Sequence, residues 1–257
     1  MRSIVFSFLF VAVLAIVWTV QTPVSAWWNV NALSRNRSDL IDVEEALIQS
    51  GDGAIPFLKR GLNSNNRDEQ YHCAKVLMVL GDSSGELFFL KTLRGHPEPG
   101  DSAGREAEAF LIAAWDRRNG PNDTLRRRLR AVEHTGIRPI EAIQVLNEAL
   151  SRYPNWADGY ARRARIYQSG GEAYEAKRDA IAALMRAPNH FDALVTLGKI
   201  QLAVDAPGHA FHCFERALLV NPRLKTILKT DLDEAVKAME AEKLKRRDEK
   251  RKNAVLV

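Results

Sequence analysis

The sequence predicts an all-α protein, a stack of antiparallel helix pairs closed by one C-terminal helix. Three observations predict it. Pro154, Pro188 and Pro222 lie 34 residues apart. Alanines keep step with them: Ala142, Ala176 and Ala210 fall twelve residues before each proline, and Ala149, Ala183 and Ala217 fall five before it. Upstream, apolar residues recur at spacings of three and four, as in Ala74, Leu77, Met78 and Leu80, which is the period of one helix face. A repeat of this length cannot bury its apolar face singly, so neighbours stack to build a continuous core. Small residues belong where two helix backbones approach. A proline after each second helix turns the chain, because it cannot continue one.

Residues 1–26 have the parts of a secretory leader. Arg2 supplies the charge, residues 4–20 the apolar run, residues 21–23 a polar break, and Val24-Ser25-Ala26 the small residues of a cleavage site. The alternative is an uncleaved anchor. The run of 17 residues is at the lower limit for spanning a bilayer, and Trp27-Trp28 would then sit at its interface. No cysteine follows the run directly, which excludes a lipoprotein anchor. The rest of the chain is expected to be exported, periplasmic or secreted, or membrane-anchored by the N-terminal segment.

From residue 40 the pattern is helical. Helices are expected over 39–49, 54–62, 67–80, 85–93 and 102–118, with breakers at Gly51-Asp52-Gly53, 63–66 and Gly81-Asp82. Ala54-Ile55-Pro56-Phe57-Leu58 with Leu62, then Arg67 to Ala74 and Leu77 ending in Leu80-Gly81-Asp82, resembles a HEAT or armadillo repeat. A weaker copy runs through Leu87, Leu90, Leu93, Ala109 and Ile112. The resemblance implies HEAT-like helix pairs over residues 27–119. The polar stretch 95–104 is expected to be a mobile surface loop, and Asn119-Gly120-Pro121-Asn122 a joint to the next repeats.

The 34-residue units 123–156, 157–190 and 191–224 resemble the tetratricopeptide repeat. The second unit carries Tyr160, Ala164, Tyr167, Ala176, Ala180, Ala183 and Pro188 at the pattern places. The third carries Leu194, Leu197, Gly198, Ala210, Phe214, Ala217 and Pro222. Arg163 and Gln201 stand at apolar places of the pattern, and the first helix of the 123–156 unit matches poorly. In this family the first helix of each unit lines a concave groove that holds ligands. The resemblance therefore implies groove residues Arg127, Arg128, Ala131 and His134, then Asp158, Arg162, Arg165 and Gln168, then Asp192, Thr196, Lys199 and Leu202. Five basic residues against two acidic ones imply a partner that is an acidic peptide or a C-terminal carboxylate. Ala131 stands where a chaperone-tail clamp needs asparagine, so that ligand is not expected. The alternative is a solvated helix face with no ligand. Residues 225–257 are expected to cap the stack with a helix over 231–252, Leu232, Val236, Met239 and Leu244 on one side, ending in a basic tail.

Composition fits an ordinary globular protein, 46% hydrophobic and 27% charged. The net charge of +5 is too small to argue for nucleic acid. Arg126-Arg127-Arg128 and the basic tail lack the interleaved aromatics of base stacking, so no nucleic acid partner is expected. His209, His212 and Cys213 have metal-ligand spacing, but Phe211 and Phe214 alternate with them and the segment reads as a helix surface; no metal or cofactor is expected. Cys73 and Cys213 are expected to be unpaired thiols. No nucleophile elbow, phosphate-cradling glycine loop or zinc-protease helix occurs. Asn36-Arg37-Ser38 and Asn122-Asp123-Thr124 fit the N-glycosylation pattern. The function expected is a non-catalytic scaffold or adaptor for protein or peptide partners. The alternatives are an enzyme with a site near 95–104 and a membrane-tethered envelope assembly factor.

Overall fold

The structure is a computed structural model that describes residues 25–26, 29–30, 32–33, 40–135 and 139–255. The leader up to residue 24 and Trp27-Trp28 lie outside the described residues. Among the described residues every regular element is helical, and none of those helices is long and apolar enough to cross a membrane. The chain divides into two compact units, Met1–Phe89 and Leu90–Val257.

The first unit holds α1 (Leu40–Gln49), a 3-10 turn (Gly51–Ala54), α2 (Ile55–Gly61), α3 (Arg67–Val79) and the first half of α4 (Ser83–Gly95). Pro56 opens α2 in its first turn, where a missing N–H costs nothing. Asn66 caps α3, its Oδ1 accepting from the N–H groups of Asp68 (2.9 Å) and Glu69 (3.3 Å). Leu47, Ala54, Leu58, Cys73, Val76 and Leu77 form the core with Ala26, Val30 and Leu33. Glu44 on α1 is buried, with His72 Nδ1 and Lys75 Nζ of α3 each 2.6 Å from its carboxylate. Burial alone would raise this carboxyl; the contacts with His72 and Lys75 outweigh it and hold it below its ordinary value.

The second unit carries the period. Its pairs are α6 (Asp123–Thr135) with α7 (Pro139–Arg152), α8 (Ala157–Ser169) with α9 (Ala173–Arg186), and α10 (Phe191–Ala203) with α11 (Pro207–Val220). Each pair is a 13-residue helix followed by a 14-residue one, so the period is built into the element lengths. A 3-10 turn (Pro222–Lys225) and α12 (Lys229–Val255) follow. Leu228, in the turn just before α12, and Ala235 on α12 are fully buried, and from Glu240 to Glu249 the helix is exposed throughout. Val236, Met239 and Leu244 are exposed as well, so the expected apolar side is used over the first turns alone.

The alanines in step sit where helices cross: Ala149, Ala176, Ala183, Ala210 and Ala217 are fully buried. Gly198 marks the closest approach, since a Cβ there would stand 2.4 Å from the Phe214 ring on the partner helix α11. Ala183→Leu is expected to lower stability by about 1–3 kcal/mol through overpacking. An unchanged melting midpoint would show that the repeat register is wrong.

α5 (Ser102–Arg117), like α12, stands outside the pairs. It belongs to the second unit, which begins within α4, upstream of the joint expected at Asn119–Asn122. Asp101 caps it by accepting from the Ala103 N–H at 2.8 Å. The stretch before it is largely exposed, as expected of a surface loop, and long-range bonds tie it to the rest of the second unit. The Arg223 guanidinium donates to the carbonyls of Glu98 and Pro99 (2.5 and 3.0 Å), and Arg94 Nε donates to the Leu219 carbonyl at 2.8 Å. These partners lie at the end of α11 and in the turn after it.

Candidate interaction face

Trp156, His190 and Leu224 stand one period apart, two residues after Pro154, Pro188 and Pro222, and all three are buried. Trp156 and His190 occupy the joints between successive pairs, and Leu224 the joint between the last pair and α12. α5 packs along these joints and against α8. At its C-terminal end the Asp116 carbonyl accepts from Trp156 Nε1 at 2.9 Å, and Trp115 stacks on the His190 ring with centroids 4.6 Å apart. Seven residues back, Glu108 takes Asn221 Nδ2 at 2.7 Å and Arg223 Nε at 3.1 Å. α5 thus ties three consecutive joints together.

The same helix supplies acids to the face expected to bind a partner. Arg162 Nε lies 2.5 Å from Asp158 Oδ2, and its Nη2 lies 3.4 Å from Asp116 Oδ1. Asp158, 5% exposed, also faces His190 Nε2 at 3.3 Å; His190 Nδ1 accepts the Ala193 N–H and so caps α10. Burial alone would raise the Asp158 carboxyl, but His190 and Arg162 hold it below its ordinary value. Asp116 and Asp192 go the other way: burial pushes both up, and the offset from Arg162 and Arg126 at Asp116, and from His190 and Arg165 at Asp192, is only partial.

The expected residues are therefore divided. Arg162 is neutralised by Asp158 and Asp116, and Thr196 is buried at 6% exposure, so neither is open to a partner. Arg128 reaches sideways to Glu148 on α7 at 2.9 Å. Lys199 lies 3.8 Å from Asp231 on α12. Arg127 and Ala131 are exposed on α6, Gln168 and Leu202 are half-buried, and the side chain of His134 is outside the described residues. Arg165 is exposed and makes no ion pair among the described residues. The expected excess of positive charge is corrected by carboxylates from α5, α7 and α12, which the first-helix count left out.

The residues that sequence reasoning missed are Trp115, Glu108, Asp116, Trp156, His190 and Arg223. One signal was available: Trp156, His190 and Leu224 keep the same 34-residue step as the prolines. Nothing local marked Glu108 as the partner of a residue 115 positions away.

Stacked helix pairs with buried alanines at the crossings define an α-solenoid repeat protein. The chain is similar to tetratricopeptide repeat protein 33 of Mus musculus, 30% identical over 155 residues, which are 58% of this chain and 59% of that protein. It is similar to the Homo sapiens protein of the same name, 33% identical over 110 residues, 43% of this chain and 42% of that one. The chain thus spans about three-fifths of the length of the first curated relative and less of the second. No protein-family model matches it. Among solved structures, the TPR2AB-domain:pHSP90 complex of yeast Sti1 matches 80% of this chain and 87% of that chain at 20% identity, with a TM-score of 0.40. A thermophilic TPR protein of Thermus thermophilus matches 77% of this chain and 98% of that one at 21% identity, with a TM-score of 0.32.

Proposed function

We propose that the protein is a non-catalytic scaffold that binds a protein or peptide partner on the first-helix face, at the part α5 leaves open. The observation that carries this is Arg165, an exposed cation on α8 with no ion-pair partner among the described residues. Lys199 lies beyond it on α10, held by Asp231 at only 3.8 Å, and Gln168 and Arg127 extend the same set of helices. An acidic segment would displace the weak Asp231 contact and meet Arg165 with charge-assisted bonds. The similarity to tetratricopeptide repeat proteins supports the scaffold reading.

Charge reversal, Arg165→Glu with Lys199→Glu, is expected to weaken binding of an acidic peptide about tenfold or more while the helical circular dichroism stays unchanged. Affinity should also fall as salt rises, because exposed charges are screened over about 8–10 Å at physiological ionic strength. A natural partner whose affinity ignores both salt and the reversal would move the site to the second-helix face or the first unit. We read α2 and α3, which pack on one another, as a HEAT-like pair.

We also propose that the chain is exported. Supporting this are Arg2, the apolar run over 4–20 and the Val24-Ser25-Ala26 site. Mass spectrometry of the protein from its native source is expected to show an N-terminus at Trp27. A mass retaining residues 1–26 in a membrane fraction would favour the tethered assembly factor instead.

A further inference from the structure

We propose that α12, where it runs on past the last helix pair, forms a two-helix coiled coil with an acidic helix of a partner protein. Lys229, Leu232, Val236, Met239, Lys243 and Arg246 follow one another in alternating steps of three and four residues, and the sequence continues the series with Lys250. Such steps line side chains along one seam of a helix, the spacing of a coiled coil. No aspartate or glutamate interrupts the seam. Its first part is apolar and partly open: α12 packs on α11, yet Val236 is 40% and Met239 38% exposed. Its second part is basic and exposed, with Lys243 and Arg246 on the seam and Arg247 beside it. From Glu240 to its end at Val255 the helix runs about 24 Å at ~1.5 Å per residue.

Charge selects the occupant. Glu240 and Glu242 flank the seam, and Glu242 already holds Arg246 at 2.5 Å. Lys243 and Arg247 form no ion pair among the described residues. A second copy of the chain does not fit. Side by side in parallel, two α12 helices set Lys243 on Lys243 and Arg246 on Arg246. Antiparallel, the register that joins Val236 to Met239 sets Lys243 on Leu232 and Arg246 on Lys229. A bilayer or a nucleic acid fits poorly as well. The whole helix carries nine basic and seven acidic residues, so a broad anionic surface meets nearly balanced charge. Its seam is apolar over the first turns alone, which leaves no continuous face to bury in lipid.

A single helix reads the seam alone and meets its cations without the acids on the other sides. It would set apolar residues on Leu232, Val236 and Met239, and aspartate or glutamate on Lys243 and Arg247. Lysine at a seam position costs stability in a coiled coil and in return fixes which helix is accepted. None of these side chains belongs to the partner-binding face proposed above, so either assignment can fail alone.

The test uses the full chain and a fluorescent designed peptide of four heptads. The peptide has leucine at the seam positions of one half and glutamate at those of the other, and it is made in both orders. One order is expected to bind by fluorescence anisotropy, more weakly as salt rises. Lys243→Glu with Arg247→Glu should weaken it about tenfold or more with the circular dichroism unchanged. A peptide with lysine in place of glutamate should then bind this variant better than the wild type. Val236→Asp should weaken binding through the apolar part, whereas Arg165→Glu with Lys199→Glu should leave it unchanged. Failure of both orders to bind overturns the proposal, as does binding lost in the Arg165 and Lys199 variant and kept in the Lys243 and Arg247 variant. Phosphatidylglycerol vesicles bound through Lys243 and Arg247, with neither peptide bound, would give the seam to lipid and overturn it too.

Discussion

Trp156→Ala is expected to destabilise the second unit by about 3–5 kcal/mol, the range for deleting a fully buried tryptophan. Trp156 is fully buried and packs with Leu129, Val145, Leu146, Ala149 and Leu150, so truncation opens a cavity between the first two pairs. The neighbouring backbone is shaped to the ring. A Cβ on Gly159 would stand 2.1 Å from Trp156 Cε3, which is why the first turn of α8 carries glycine there. The variant also removes the donor to the Asp116 carbonyl and so frees the end of α5. Trp156→Phe separates the two effects, since it keeps most of the packing and loses the bond, at about 1 kcal/mol. Chemical denaturation followed by circular dichroism measures both. Equal midpoints for the wild type and the alanine variant would mean that the joint does not hold the stack together.

Arg163→Met is expected to cost a similar amount, about 3–5 kcal/mol, because it strands a buried carboxylate. Arg163 stands where the repeat pattern calls for an apolar residue, and the structure shows what replaces the apolar contact. Its Nε and Nη2 grip both oxygens of Asp179 on α9 at 2.5 and 2.9 Å, and Nη1 reaches Asn147 Oδ1 on α7 at 2.6 Å. Asp179 is 1% exposed, and the exposed Arg178 lies 3.6 Å away, too poorly placed to take over. The double variant Arg163→Met with Asp179→Leu should recover most of the loss, since a buried pair replaced by apolar groups of similar size is close to neutral. A double variant as unstable as Arg163→Met alone would show that the cost lies in packing around Arg163 and not in the unpaired Asp179.

These two residues mark different limits of what a sequence shows. Tryptophan at 156 was legible as large and apolar, and its place in the 34-residue step shared with His190 and Leu224 could have flagged all three as joint residues. Arg163 could be seen to break the pattern, but Asp179 sits 16 residues away on the next helix, with no motif to connect them. The same holds for the partner face. Counting charge along the first helices predicted a positive surface, while Asp116, Glu148 and Asp231 reach it from helices outside that count.

The sequence by itself determined the all-helical class, the start and end of the helices to within a few residues, and the burial of the periodic alanines. These follow from local physics: side-chain spacing selects the helix, prolines and glycines end it, and small residues admit a close neighbour. Tertiary structure alone decided where α5 goes, which charges are neutralised, and that Arg223 bonds to the 95–104 stretch. Each of those depends on which distant surfaces meet once the repeats have stacked. Ion pairs take their energy from that proximity and from the exclusion of water, neither of which is encoded in the spacing of residues along the chain.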